Sequence, residues 1–192
     1  MNNRYSYLLE TINKRQCKKC IEIGVWKGDL SFYLCKSSPA IKEYYMVDPL
    51  LHSDNAFDHS GDDHPAIMKQ GRYECAMGGK VRNQNELDSM ALNIEQKTKK
   101  FQNLKFIRKS SLEASLDFKD SYFDFIYLDA IHLYKHVKED IINWLPKLKN
   151  KGIFIGDDCN NMFPGVEKAA KEVLGSNVYF NKPLSQWIYI KE

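Results

Sequence analysis

The chain has 192 residues, 43% of them hydrophobic and 28% charged, with a formal net charge of +3; at roughly 150 residues per domain this is a single domain with enough apolar content for a substantial core. Globular composition excludes intrinsic disorder, and 28 basic against 25 acidic residues is too small a surplus for a protein built on phosphate backbones, so nucleic acid is not expected as a partner. No apolar run approaches the roughly 20 residues that cross a bilayer and Met1-Asn2-Asn3-Arg4-Tyr5 is too polar to open a signal peptide, so no membrane is expected and the reading is cytoplasmic.

An amphipathic start through Ile12 leads into a strand at Cys20–Gly24, a helix at Ser31–Ser38 and a second strand at Tyr44–Asp48. Residues 51–81 interrupt this rhythm: they are polar and rich in Asp, His and Gly, longer than an ordinary connection, and read as an insertion and candidate lid over the site. His52, Asp54, Asp58, His59, Asp62, Asp63 and His64 within it have no fixed ligand spacing, and a solvated loop explains them as well as a second metal site does. Leu87, Met90, Ala91, Ile94 and Phe101 restore a helical face that leads into a strand at Leu104–Ile107. Phe123–Asp129 and Gly152–Asp157 are further strands, and Tyr134, Val137, Ile141, Leu145 and Leu148 form one helix face between them. A helix over Val166–Leu174 and a hairpin of Val178–Phe180 with Trp187–Ile190 complete the chain. Strands alternating with helices predict a three-layer α/β fold with a mostly parallel sheet and an antiparallel strand from the C-terminal hairpin.

Five cysteines at positions 17, 20, 35, 75 and 159 suit a reducing compartment better than a disulfide framework. The Cys17-Lys18-Lys19-Cys20 spacing has no second pair to complete a zinc site and leads into a strand, so it reads as coincidence.

Ligands in such sheets bind at the carboxyl ends of the strands, and chemistry-bearing residues gather there. Glu22-Ile23-Gly24-Val25-Trp26-Lys27-Gly28 is a strand that ends in a glycine-spaced turn and opens a helix, letting the backbone approach a ligand. Trp26 stands where a dinucleotide fingerprint has its middle glycine, which counts against a pyrophosphate on this turn. Asp48, at the end of the second strand, is placed to accept the two hydroxyls of a ribose. Asp129 and the pair Asp157-Asp158 end neighbouring strands; like charges there repel unless a cation intervenes, and hard oxygen ligands suit Mg²⁺ or Mn²⁺. His132 follows in the loop beside them and is a candidate general base.

In combination, Asp124-Phe-Ile-Tyr-Leu-Asp129-Ala-Ile-His132-Leu-Tyr134, then Val137, Asp140, Trp144-Leu-Pro-Lys-Leu and Gly152-Ile-Phe-Ile-Gly-Asp157-Asp158, resemble the small class I S-adenosylmethionine-dependent methyltransferases. The subgroup most similar in these motifs is the macrocin O-methyltransferase-like enzymes, related to the metal-dependent catechol O-methyltransferase type; the glycine turn and Asp48-Pro49 fit the same pattern. The resemblance implies a Rossmann-like methyltransferase fold in one domain, and methyl transfer from S-adenosylmethionine to a hydroxyl of a small molecule or sugar, assisted by Mg²⁺ or Mn²⁺. It implies that Glu22 and Gly24, with Gly28 closing the turn, line the methionine end, that Asp48 holds the ribose, and that Ser110 or Ser111 lies near the adenine. Asp129, Asp157 and Asp158 match the metal positions, although the catechol type carries Asn where Asp158 stands, and His132 falls where that type has a catalytic Lys.

Two other functions compete. A non-catalytic S-adenosylmethionine-binding module would keep the pocket without turnover, but has no use for the acid triad. A short-chain dehydrogenase is suggested by Tyr134-x-x-x-Lys138 with Ser121 upstream, but Tyr134 belongs to the apolar helix face and the glycine spacing is wrong for a nicotinamide dinucleotide. The acceptor and the oligomeric state, including a homo-oligomer, are left open.

Overall fold

The computed structural model describes residues 3–51 and 83–192; the expected insertion, beyond Leu51, and Cys75 lie outside the described residues. In chain order the elements are α1 (Asn3–Arg15), β1 (Lys19–Ile23), α2 (Asp29–Ser37), β2 (Glu43–Val47), α3 (Gln84–Thr98), β3 (Leu104–Ile107), α4 (Ser111–Ser115), β4 (Phe123–Leu128), α5 (Tyr134–Trp144), β5 (Leu148–Gly156), α6 (Pro164–Leu174), β6 (Val178–Asn181) and β7 (Gln186–Ile190). They build one seven-stranded sheet in the order β3-β2-β1-β4-β5-β7-β6. The first five strands run parallel, and β7 enters antiparallel between β5 and β6.

The central strands read as near-continuous apolar runs because helices cover both of their faces. On one face Leu8 and Ile12 of α1, Leu34 of α2 and Ile94 of α3 pack with Tyr44, Met46, Phe125 and Ile155. On the other, Val137, Ile141 and Trp144 of α5 and Val166 and Ala169 of α6 pack with Ile21, Ile23, Ile126 and Phe154. Residues alternate between these two cores along the strands, as the period of two requires, except where the register shifts between Phe123 and Phe125 of β4. At the far side of the sheet Gly156 lies against the fully buried Trp187, whose indole occupies the space a Cβ at 156 would need.

The fold class and hairpin agree with the sequence expectation, and two local features differ. The apolar periodicity of α5 predicts a helix through Leu148, yet the α-helix stops at Trp144 and a 3₁₀ turn over Leu145–Lys147 follows. Pro146 has no N–H to give and its ring would meet the carbonyl four residues back, so Leu148 is free to begin β5 instead. The short helix α4 is unanticipated. Its signal is Ser110-x-x-Glu113, a reciprocal capping box in which Ser110 accepts from the Glu113 N–H and the Glu113 side chain accepts from the Ser110 N–H.

Among the described residues no helix is long and apolar enough to cross a membrane, and Cys17, Cys20, Cys35 and Cys159 are free thiols.

Candidate functional site

The strand order reverses between β1 and β4, which opens a crevice at the carboxyl ends of these two strands. Gly24 stands at its floor with φ +86°, and a Cβ there would overlap the Asp129 carbonyl. Only glycine therefore lets the β1 turn pass so close to the end of β4. The parallel ladder continues past the strands: Gly24 N–H donates to the Val47 carbonyl at 2.9 Å, Asp129 N–H to Ile23 at 2.8 Å and Asp157 N–H to Leu128 at 2.9 Å. Gly24, Asp48, Asp129 and Asp157 thus stand one step beyond four adjacent strands.

Asp48 organises the glycine turn. One of its carboxylate oxygens accepts from the N–H groups of Val25 at 2.9 Å and Trp26 at 2.8 Å, and the other from Leu50 at 2.8 Å. Trp26 and Leu50 both adopt left-handed backbone, φ +52° and +46°, conformations that these charge-assisted bonds help to hold. Burial pushes the Asp48 carboxyl up and wins over the three backbone bonds that pull it down. Two oxygens with about four lone-pair directions between them retain capacity for further donors.

Glu22 lies beneath the turn on β1, 2% exposed. It accepts from the Ser31 hydroxyl of α2 and, at 3.2 Å, from Tyr44 of β2. Burial drives its carboxyl up to about 8; the Ser31 bond opposes this and the charge of Asp129 adds to it.

The acidic residues beyond β4 and β5 are divided between Arg4 and His132. Arg4, from the first turn of α1, donates to Asp157 and, at 3.3 Å, to Asp129. His132 Nε2 lies 2.9 Å from Asp158 and 3.8 Å from the other oxygen of Asp129, and its ring packs on Phe163 with centroids 4.9 Å apart. Burial favours neutral imidazole, but the Asp158 bond and the charges of Asp129 and Asp158 outweigh it and raise His132 above its ordinary value. For Asp158 burial pushes upward and is outweighed by the same His132 contact, which leaves the carboxyl below its usual range. Asp129, His132 and Asp158 each bring one ligand atom within 4.8 Å of the others, whereas Asp157 turns to Arg4. Of the expected acids Asp129, Asp157 and Asp158, the first and last are brought together with His132, and Asp157 is brought to Arg4.

Two carboxylate oxygens and an imidazole nitrogen are a donor set that fits a divalent cation. The nitrogen favours Mn²⁺ over Mg²⁺ relative to an all-oxygen set.

The remaining predicted positions are spread around this centre. Gly28, φ +81°, closes the turn as the residue before α2, with Met46 and Phe32 packed against it. The Ser110 hydroxyl is engaged in the α4 capping box, and Ser111 donates to Asp140 and accepts from the Trp144 indole at 2.9 Å. Both serines lie beyond β3 on the face of α4, where they tie that helix down. Tyr134 and Lys138 both bind Glu172 of α6, while Ser121 precedes β4 at the opposite end of the strand from His132. The dehydrogenase-like trio is therefore not assembled. Arg4 was missed in the sequence because nothing local marks it: its partners are 125 and 153 positions away.

Comparison with known proteins adds the family. An uncharacterized protein, y4gI, of Sinorhizobium fredii is 26% identical over 144 residues, which span 73% of this chain and only 13% of that protein. An O-methyltransferase of Bacillus cereus in complex with SAH superposes with TM-score 0.60 at 13% identity, covering 100% of this chain and 82% of that one. The O-methyltransferase TomG of Streptomyces achromogenes in complex with SAM gives TM-score 0.62 at 10% identity over 98% and 80% of the two chains. The SAH-bound methyltransferase PaMTH1 of Podospora anserina gives 0.65 at 12% over 98% and 78%. These likenesses establish the shared fold. Residues 21–159, from the middle of β1 to just past the Asp157-Asp158 pair, match the family model described as a methyltransferase domain, and the chain belongs to that family.

Proposed function

We propose that this chain transfers the methyl group of S-adenosylmethionine to a hydroxyl of a small molecule or sugar, with Mn²⁺ or Mg²⁺ assisting. The observation that carries the proposal is the crevice itself. A glycine turn shaped by Asp48 faces a cluster of Asp129, His132 and Asp158 across the β1/β4 switch point, and solved relatives in fold hold SAM or SAH. S-adenosylmethionine supplies a methyl on a cationic sulfur, and a divalent ion supplies charge that lowers the pKa of an acceptor hydroxyl.

Gly24 admits the methionine portion by leaving the turn bare of side chain, and Glu22 beneath it offers a carboxyl to that end. Asp48, held rigid by three N–H groups, accepts from a ribose with the lone pairs they leave free. Gly28 sets the direction of α2, and Ser110-Ser111 border the crevice beyond β3. Asp129, His132 and Asp158 would hold the cation. In transfer the acceptor oxygen forms a bond to the methyl carbon as the carbon–sulfur bond breaks, and the hydroxyl proton leaves to a base. His132 Nε2 would be that base only with the ion absent or held by Asp129 and Asp158 alone, since a nitrogen that ligates the ion has no lone pair left for a proton.

Calorimetric titration of the purified chain with S-adenosylhomocysteine and, separately, with NAD tests the proposal. Saturable binding of the first and none of the second is expected. Binding of NAD without S-adenosylhomocysteine would overturn it.

A further inference from the structure

We propose that Arg4 is a built-in counter-ion of the acid cluster that competes with a divalent cation, so that the first turn of α1 gives up Asp129 when an ion is taken up. The inference rests on the reading of Asp129, His132 and Asp158 as a cation site.

The side chains form a row in which Arg4 and His132 alternate with the carboxylates: Asp157, Arg4, Asp129, His132, Asp158. Arg4 Nη1 pairs with Asp157 and lies 3.3 Å from Asp129 Oδ2. His132 Nε2 lies 3.8 Å from Asp129 Oδ1 and 2.9 Å from Asp158 Oδ2. Each oxygen of Asp129 therefore faces a different partner. The three carboxylates that would repel one another are already separated by Arg4 and His132.

Arg4 is not there by chance of a loose terminus. It lies four residues before Leu8, and residues so spaced share one helix face. Leu8 and Ile12 are fully buried in the core under β1, β4 and β5, so anchoring that face of α1 carries the guanidinium over the strand ends. One guanidinium nitrogen, Nη1, makes both carboxylate contacts. Arg4 is also partly accessible, its side chain 29% exposed against 3% for Asp157, so it has room to swing while Asp157 remains enclosed.

A divalent ion held by one atom each from Asp129, His132 and Asp158 would share the Asp129 carboxylate with the guanidinium. Repulsion between a doubly and a singly charged cation is twice that between two unit charges at the same distance. Withdrawal of Arg4 from Asp129 relieves it, and the lost contact weakens the ion's hold. The N-terminal helix and the cation site are thereby coupled, and by linkage each disfavours the other.

Mn²⁺ titration followed by electron paramagnetic resonance, at one fixed pH and without cofactor or acceptor, reads this directly on the full chain. Arg4→Gln should bind Mn²⁺ at least tenfold more tightly than wild type. As a measurement that needs no variant, amide exchange in the first two turns of α1 should quicken in wild type when Mn²⁺ saturates it. Equal or weaker Mn²⁺ affinity in Arg4→Gln, with binding still abolished by Asp158→Asn, overturns the inference and leaves the cation site standing. Exchange in α1 that does not change on saturation also overturns it. Absence of Mn²⁺ binding in wild type and variant alike overturns the cation site and the inference together.

Discussion

Replacing Glu22 by Gln should remove a pH dependence of stability that the buried carboxyl imposes. In the folded chain this group titrates near about 8, raised by burial, while exposed in the unfolded chain it returns to the ordinary 4.5. Between these values the folded state carries a proton that the unfolded state has lost, so stability falls as pH rises. Below the lower value both states are protonated and the contribution is fully present; above the upper value both are ionised and no more is lost. At 1.36 kcal/mol per pH unit the whole window amounts to about 5 kcal/mol. Gln keeps a carbonyl to accept from Ser31 and Tyr44 and has nothing to ionise. Denaturant unfolding of both proteins from about pH 5.5 to about pH 7.5 should show wild type losing about 3 kcal/mol relative to Glu22→Gln, with the denaturant slope m unchanged. Parallel stability curves for the two proteins would refute the claim that Glu22 is protonated in the folded state.

Ser110→Ala should cost about 1 kcal/mol of stability through loss of the α4 cap, read as a lower unfolding midpoint. Its effect on S-adenosylhomocysteine affinity, measured in the same titration as above, decides whether that hydroxyl also reaches the cofactor: an unchanged affinity assigns it to the helix alone. His132→Ala should lower the methyl-transfer rate by about 10² to 10⁴-fold with cofactor affinity retained. Because a base acts in its neutral form, the wild-type rate should climb with pH as His132 loses its proton. A variant that keeps its rate would end the base assignment.

Most strands were legible because covering helices on both faces force them into runs such as Phe123-Asp-Phe-Ile-Tyr-Leu128, which stand out against their surroundings. The glycine turn and the acids at strand ends were legible for a related reason: residues one step beyond adjacent parallel strands become neighbours, so their positions follow from the strands themselves. What the sequence did not reveal was of two kinds. The end of α5 was set by Pro146 against an apolar periodicity that runs on to Leu148, a case of local covalent geometry overriding pattern. The partition of the acid cluster depended on side-chain direction across long separations. Nothing in the spacing of Asp157 and Asp158 says that one faces α1 and the other His132; Asp158, at φ +51°, leaves the strand in a left-handed conformation that its neighbour does not share.

The place of β7 in the sheet bears on how the molecule comes into being. Synthesis delivers β6 first, yet β6 pairs only with β7, which in turn joins β5 through Ile153–Gly156 opposite Trp187–Ile190. A nascent chain that has reached Asn181 therefore holds a strand with no partner and a β5 edge whose N–H and C=O groups point at nothing within the sheet. Exposed edges of this sort recruit other strands, so ribosomal pausing before Gln186 would prolong the interval in which neighbouring chains can stick. A stop codon there would leave Gly156 without the indole that fills its side of the sheet, and a protein shortened by its last strand loses the middle of one wing of the sheet, not its rim.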